Sequence, residues 1–120
     1  MITNTEAVEQ TNFFRWAEFA KCKRPELSLL FHVPNGGSRN KAEAANLKMQ
    51  GVKSGVPDIF LPVPRGAHHG LFIEMKVGSN RPTANQKQWI EELKRQGYFV
   101  AVCYGWVDAR EITERYLNAK

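Results

Sequence analysis

Apolar and polar positions follow two different periods along the chain of 120 residues, and the switches between them mark its elements. After Asn4 and Thr5, either of which can cap a helix, Val8, Phe13, Trp16, Ala17 and Ala20 keep helical spacing. Residues 27–34 read as a strand ending at Asn35-Gly36-Gly37, a strong breaker. Ser38 stands where it can cap a short helix over residues 42–49, stopped by Gly51. Residues 58–61 and 71–74 read as two strands around a Pro/Gly/His-rich loop. Thr83 opens a helix carrying Trp89, Ile90 and Leu93, which Gly97 closes. Residues 98–104 read as a buried strand, and residues 107–117 as an amphipathic helix with Ile112 and Tyr116 inward. Helix, strand, helix, two strands, helix, strand, helix is an α/β order. With no repeat, low-complexity tract or linker, it predicts one domain over residues 1–120.

The two middle strands mirror each other. In a hairpin centred on Gly66, opposing positions sum to 132, so Leu61 faces Leu71, Phe60 faces Phe72, Ile59 faces Ile73 and Asp58 faces Glu74. Side chains alternate along a strand. Ile59, Leu61, Leu71, Ile73 and Met75 therefore fill one face, and Asp58, Phe60, Phe72, Glu74 and Lys76 share the other. A bulge in the long loop would shift this register.

That register sets two carboxylates side by side, which is unfavourable in a sheet. At about 4 Å and an effective dielectric of about 20, their repulsion approaches ~4 kcal/mol. Solvent exposure, a shared proton or a divalent cation could relieve it. Mg²⁺ suits the third case, because it binds one or two carboxylates and keeps waters for a substrate phosphate. Lys76, on the same face, could stabilise charge developing on a phosphate or help orient an attacking water. An exposed hairpin end with an ordinary Glu-Lys pair is the alternative.

Composition adds limits. The chain is 42% hydrophobic and 24% charged, which excludes wholesale disorder. No apolar run approaches the ~20 residues of a membrane span. Residues 1–6 lack a signal peptide's basic start and apolar middle, so a cytoplasmic protein is expected. Cys22 and Cys103 cannot make a disulfide framework and fit a reducing compartment. The net charge of +5 changes the picture by its position: residues 31–87 hold eight bases against Glu43, Asp58 and Glu74, and so carry all of it. A basic segment of this kind permits nucleic acid as partner, and equally permits a plain solvated face.

Gly55-Val56-Pro57-Asp58 followed by Glu74-Met75-Lys76 has the form of the PD-(D/E)XK nuclease signature. The chain more specifically resembles the virus-type replication–repair nuclease (VRR-Nuc) family, in its stand-alone phage and prophage form. The match adds Pro34-Asn35-Gly36-Gly37, the run from Gly51-Val52-Lys53-Ser54 into that Asp58, Leu71-Phe72-Ile73 before Glu74, and Gln86 on the next helix. A bare PD and ExK is a weak signal; the ordered set in its strand and helix contexts is a strong one.

The resemblance implies a restriction-endonuclease-like core, a mixed central sheet of about four strands flanked by helices. It implies a Mg²⁺- or Mn²⁺-dependent deoxyribonuclease whose metal is held by Asp58, Glu74 and the backbone carbonyl of Met75. Lys76 matches the family's catalytic lysine and Gln86 its helical glutamine. A first-helix glutamate also belongs to the pattern, as a further residue of the metal site; Glu6 fits the Glu-x-x-x-Gln spacing ending at Gln10 better than Glu9 does. The relatives imply a homodimer that resolves four-way (Holliday) DNA junctions in DNA repair. A monomeric flap- or nick-directed nuclease and a non-catalytic DNA-binding module are the alternatives, and intact Asp58, Glu74 and Lys76 speak against the module.

Other residues carry weaker signals. Asn35, Gly36, Gly37, Ser38 and Arg39 could bring backbone amides to a phosphate, or could be a simple strand-to-helix turn. Arg39, Lys41, Lys48 and Lys53 are candidate phosphate contacts. His68-His69 lacks a third metal ligand at suitable spacing and reads as a polar loop. Trp16, Trp89 and Trp106 could stack on bases, but their apolar helical faces or strand-end positions predict core roles. Cys103 reads as core and Cys22 as an incidental thiol.

Overall fold

Thr5 opens the first helix, α1 (Glu6–Ala20), and its side-chain oxygen accepts from the Val8 amide at 3.2 Å. The structure is a computed structural model that describes residues 5–35 and 40–120. Phe13 and Ala17 of α1 are buried, whereas Val8 is exposed. Next comes a 3₁₀ helix (Pro25–Leu29), then β1 (Phe31–His32), α2 (Lys41–Met49), β2 (Ile59–Leu61) and β3 (Leu71–Lys76). The chain ends with α3 (Ala84–Arg95), β4 (Phe99–Tyr104) and α4 (Trp106–Asn118).

The sheet order is β1-β2-β3-β4, antiparallel at the first two pairings and parallel at the third. This is the expected mixed four-stranded sheet flanked by helices. Ile59 pairs with Ile73, Phe60 with Phe72 and Leu61 with Leu71, the register that the mirrored sequence predicts. An Arg65–His68 bridge in the loop leaves that register unshifted. The parallel β3–β4 pair needs a crossover, and α3 supplies it.

Two apolar layers result. Ile59, Leu61, Leu71, Ile73, Met75 and Cys103 are fully buried against Phe13 and Ala17 of α1 and Ala109, Tyr116 and Leu117 of α4. On the other face, Phe72, Val100 and Ile90 are buried with Phe60, Tyr98 and Leu93 around them. Phe60 stacks on Phe72 at 4.2 Å between ring centroids, and Tyr98 meets both edge-on. That aromatic block ends where Glu74 begins. Among the described residues no helix is long and apolar enough to cross a membrane.

Two expectations are corrected here. Most of residues 27–34 is not strand: the 3₁₀ helix occupies Pro25–Leu29, and only Phe31 and His32 pair with β2. Pro25 fixes the first turn and the Ser28 hydroxyl donates to the Pro25 carbonyl at 2.8 Å. Leu27 and Leu30 are the buried pair, at the spacing of three that a 3₁₀ helix brings onto one side. The cap of α2 is Asn40, whose side-chain oxygen accepts from the amides of Ala42 and Glu43 at 2.9 and 3.1 Å. The expected cap Ser38, together with Gly36, Gly37 and Arg39, lies outside the described residues.

Candidate active site

The site grows out of a strand pairing that stops one residue short. Continued by the same register, Pro57 would oppose Met75. Proline has no N–H and cannot donate to the ladder. The strands part there, and the Met75 amide donates to Asp58 Oδ2 at 2.9 Å instead. On the other edge of β3 the Lys76 carbonyl accepts from the Gly105 amide. Successive residues of a strand face opposite edges, so the Met75 N–H and carbonyl both face the side of Asp58.

Glu74 and Lys76 stand on the sheet face shared with Asp58, and both are buried, at 1% and 6% exposure. Lys76 Nζ lies 3.6 Å from Glu74 Oε2. Gln86 Nε2 donates to the same oxygen at 3.3 Å, while Gln86 Oε1 accepts from the Thr83 amide at 2.9 Å. Thr83 Oγ1 accepts in turn from the Gln86 amide, which closes a capping box at the start of α3. Asn35 Nδ2 donates to Asp58 Oδ1 at 3.5 Å.

Glu74 is the electrostatically strained member. Its pKa is pushed from an ordinary 4.5 up to about 8. Burial is the largest cause, followed by the Asp58 carboxylate, which is close enough to share a proton with it. Lys76 pulls the value down, and the Glu6 carboxylate raises it further. With both carboxylates ionised, Glu74 Oε1 is a buried acceptor without a hydrogen-bond partner among the described residues. Such an orphan is costly.

The donor chemistry fits a hard divalent cation: two carboxylates, one with an unpartnered oxygen, beside a strand carbonyl that Pro57 cannot satisfy. Among the described residues, no group of three or more His, Cys, Asp or Glu side chains could hold a metal by itself. The remaining coordination would fall to backbone and water, as Mg²⁺ favours.

The two first-helix glutamates separate. Glu9 is buried, and its Oε1 accepts from the Trp106 amide at 3.0 Å, capping α4 across 97 residues of chain. That cap replaces a local one, because the N-cap of α4 is Gly105, which has no side chain to offer. Glu6 faces the site: Asn80 Nδ2 donates to its Oε2 at 3.5 Å, and its charge reaches Glu74.

Of the remaining candidates, Asn35, Lys48 and Lys53 line a cleft of about 600 Å³ beside the carboxylates. Lys41 is exposed at the start of α2 and does not line the cleft. Trp16 and Trp106 pack against the main core as expected. Trp89 does not: it is half-buried, belongs to neither apolar cluster and forms a wall of the cleft. The face of α3 is split, with Ile90 and Leu93 taking the sheet and Trp89 turned aside. His68 meets Phe99 edge-on and His69 meets Tyr98. Cys103 is buried, and burial pushes its thiol up to about 12, which disfavours the thiolate.

Sequence reasoning missed Asn85 as part of this region, and it raised Trp89 as a base-stacking residue only to assign it to the core. Their spacing of four on one helix was the available signal. It pointed to a shared face without saying what that face meets.

Comparison with known proteins gives the family and agrees with the fold. The family model described as VRR-NUC domain matches residues 4–106. A solved structure described as a VRR_NUC domain protein is similar at a TM-score of 0.83 and 35% identity, covering 98% of this chain and 91% of that one. No curated protein matches.

Proposed function

Because the chain belongs to the VRR-NUC family, and so is a nuclease domain of the PD-(D/E)XK type that acts on DNA, we propose that it is a divalent-metal-dependent endonuclease cutting branched DNA. The observation that carries the metal dependence is the orphaned, buried Glu74 Oε1 beside Asp58. A binding module has no use for a buried Glu74 beside a half-buried Asp58, two carboxylates that repel phosphate and each other.

Asp58, Glu74 and the Met75 carbonyl would hold Mg²⁺ or Mn²⁺. When bound, the cation supplies Lewis-acid polarisation of the phosphodiester and a water acidified enough to attack it. The chain's own residues do the rest. The Met75 amide and Asn35 fix the two oxygens of Asp58. Gln86, anchored by its capping box, orients Glu74. Lys76, nearly stripped of water, meets the negative charge that builds on the phosphate as the bond to the 3′ oxygen breaks. The charge of Glu6 reaches Glu74 and adds negative field that favours a cation.

The substrate read here is the four-way junction, cut by a homodimer, since a twofold protein matches two symmetric strands. The test is incubation of purified protein with labelled four-way junction, flap, nicked and linear duplexes, with and without Mg²⁺, alongside sizing by light scattering. Paired symmetric cuts in the junction by a dimer support the reading. Preferential flap or nick cutting by a monomer replaces the junction with those substrates. Binding without cutting overturns the enzyme assignment.

A further inference from the structure

We infer that the cleft beside the carboxylates holds one unpaired nucleotide of the strand being cut, with its base stacked on Trp89 and its phosphate met by Lys48 and Lys53. This rests on the nuclease reading above and names a feature of the substrate.

The cleft adjoins the site on both walls. Asn35, which donates to Asp58, lines it from one side. Asn85 lines it from the other, and the next residue, Gln86, donates to Glu74. An occupant of the cleft is therefore one step from a phosphate placed at the carboxylates. Its volume of about 600 Å³ lies within the range of small-ligand sites. Among the described residues the lining contains two lysines and no acid, opposite in sign to the catalytic centre next to it.

Trp89 is held at an angle that only the local backbone allows. Gly55 has φ +91°, and a Cβ there would lie 2.9 Å from Trp89 Cδ1 and 2.6 Å from Asn85 Nδ2. Asn85 Nδ2 is tied to the Ser54 carbonyl and hydroxyl at 3.0 and 3.1 Å. The pair is thus locked against the 54–55 turn. Trp89 also borders a second opening of about 370 Å³, which shares Val52 and Lys53 with the first. A large indole kept out of both apolar clusters, flanked by lysines, is the arrangement that stacks a base and pairs its phosphate. A base inside a duplex is already stacked on its neighbours, so this wall selects one that is unpaired.

Two measurements test it. In the first, wild type, Trp89→Phe and Trp89→Ala cleave junctions carrying a single abasic residue at successive positions around the cut. At one position, loss of the base should raise the wild-type KM about tenfold with little change in kcat. Trp89→Ala should show that higher KM on intact DNA and be blind to the abasic residue, while Trp89→Phe keeps most of the response. Equal abasic sensitivity in wild type and Trp89→Ala overturns the inference.

The second measurement needs no cleavage and keeps an aromatic ring at position 89. A short single-stranded dT oligomer should quench the tryptophan fluorescence of wild type but not that of Trp89→Phe. The same quench in both proteins overturns the inference. If wild type cuts no DNA in Mg²⁺, the nuclease reading fails while the quench still reports on the cleft.

Discussion

Gln86 and Glu74 are joined by a hydrogen bond of 3.3 Å, from an amide whose other end caps its own helix. One side chain thus ties the start of α3 to the candidate metal site. Replacing it separates two roles. Gln86→Glu keeps the capping box, because glutamate serves at that position as glutamine does. It also sets a carboxylate against Glu74 where a donor stood. The pH profile of cleavage should move to higher pH, since Glu74 must lose its proton against an added negative charge. Gln86→Ala should cost about 1 kcal/mol in urea unfolding through the lost cap, and lower activity as well. An unchanged pH profile in Gln86→Glu counts against the coupling.

Stability should fall with pH in the metal-free protein. The folded pKa of Glu74, about 8, lies above its ordinary 4.5, so the folded state binds that proton more tightly. The stabilisation is complete below pH 4.5 and is lost as pH rises through about 8. One proton limits the slope to ~1.4 kcal/mol per pH unit. Thermal melts in EDTA should show Tm dropping across this window. Mg²⁺ should raise Tm more at pH 8 than at pH 6, because binding needs the ionised pair. A flat metal-free profile would place Glu74 among ordinary carboxylates.

The first-helix glutamates should fail differently. Glu9→Ala removes the acceptor of the Trp106 amide, a charged hydrogen bond, at a cost of roughly 1.5–3 kcal/mol. Its kcat per folded molecule should stay near wild type. Glu6→Gln should leave stability nearly unchanged and lower Mg²⁺-dependent cleavage. Urea unfolding and initial rates on the two variants separate the roles. The reverse pattern would make Glu9 the residue of the site.

Lys76→Met should retain the fold and lose roughly 10²–10³-fold in kcat, the scale of removing one preorganised charge-stabilising donor. It also removes the cation that holds the Glu74 pKa down, so Mg²⁺ binding should need higher pH. Calorimetric Mg²⁺ titration at two pH values reads this apart from turnover.

The hairpin was legible because alternation over 58–61 and 71–74 is symmetric, and a one-residue slip would expose Ile59, Leu61, Leu71 and Ile73 together. The closeness of Asp58 and Glu74 followed from the same register, although the pairing itself ends at Ile59 and Ile73. The segment at 27–34 misled because its apolar residues suggested a strand, although Leu27 and Leu30, three apart, suit a 3₁₀ turn better than a period of two, and Pro25 and Ser28 decide for the turn. No local signal could show Glu9 capping a helix 97 residues away, since that bond exists only after α1 and α4 dock. Trp89 looked like core because a helical pattern gives the apolar face and not its partner. The partner is a turn that Gly55 keeps bare.

The central claim, a cation held by Asp58 and Glu74 in a DNA-cutting site, is met most directly by comparing wild type with Asp58→Asn on a labelled four-way junction, with Mg²⁺ and with EDTA. Asparagine can still accept from the Met75 amide and removes the repulsion on Glu74, so the variant should fold at least as stably as wild type. Wild type should cut only with Mg²⁺, and Asp58→Asn in neither condition. Cleavage by wild type in EDTA, or undiminished cleavage by Asp58→Asn in Mg²⁺, would contradict the account.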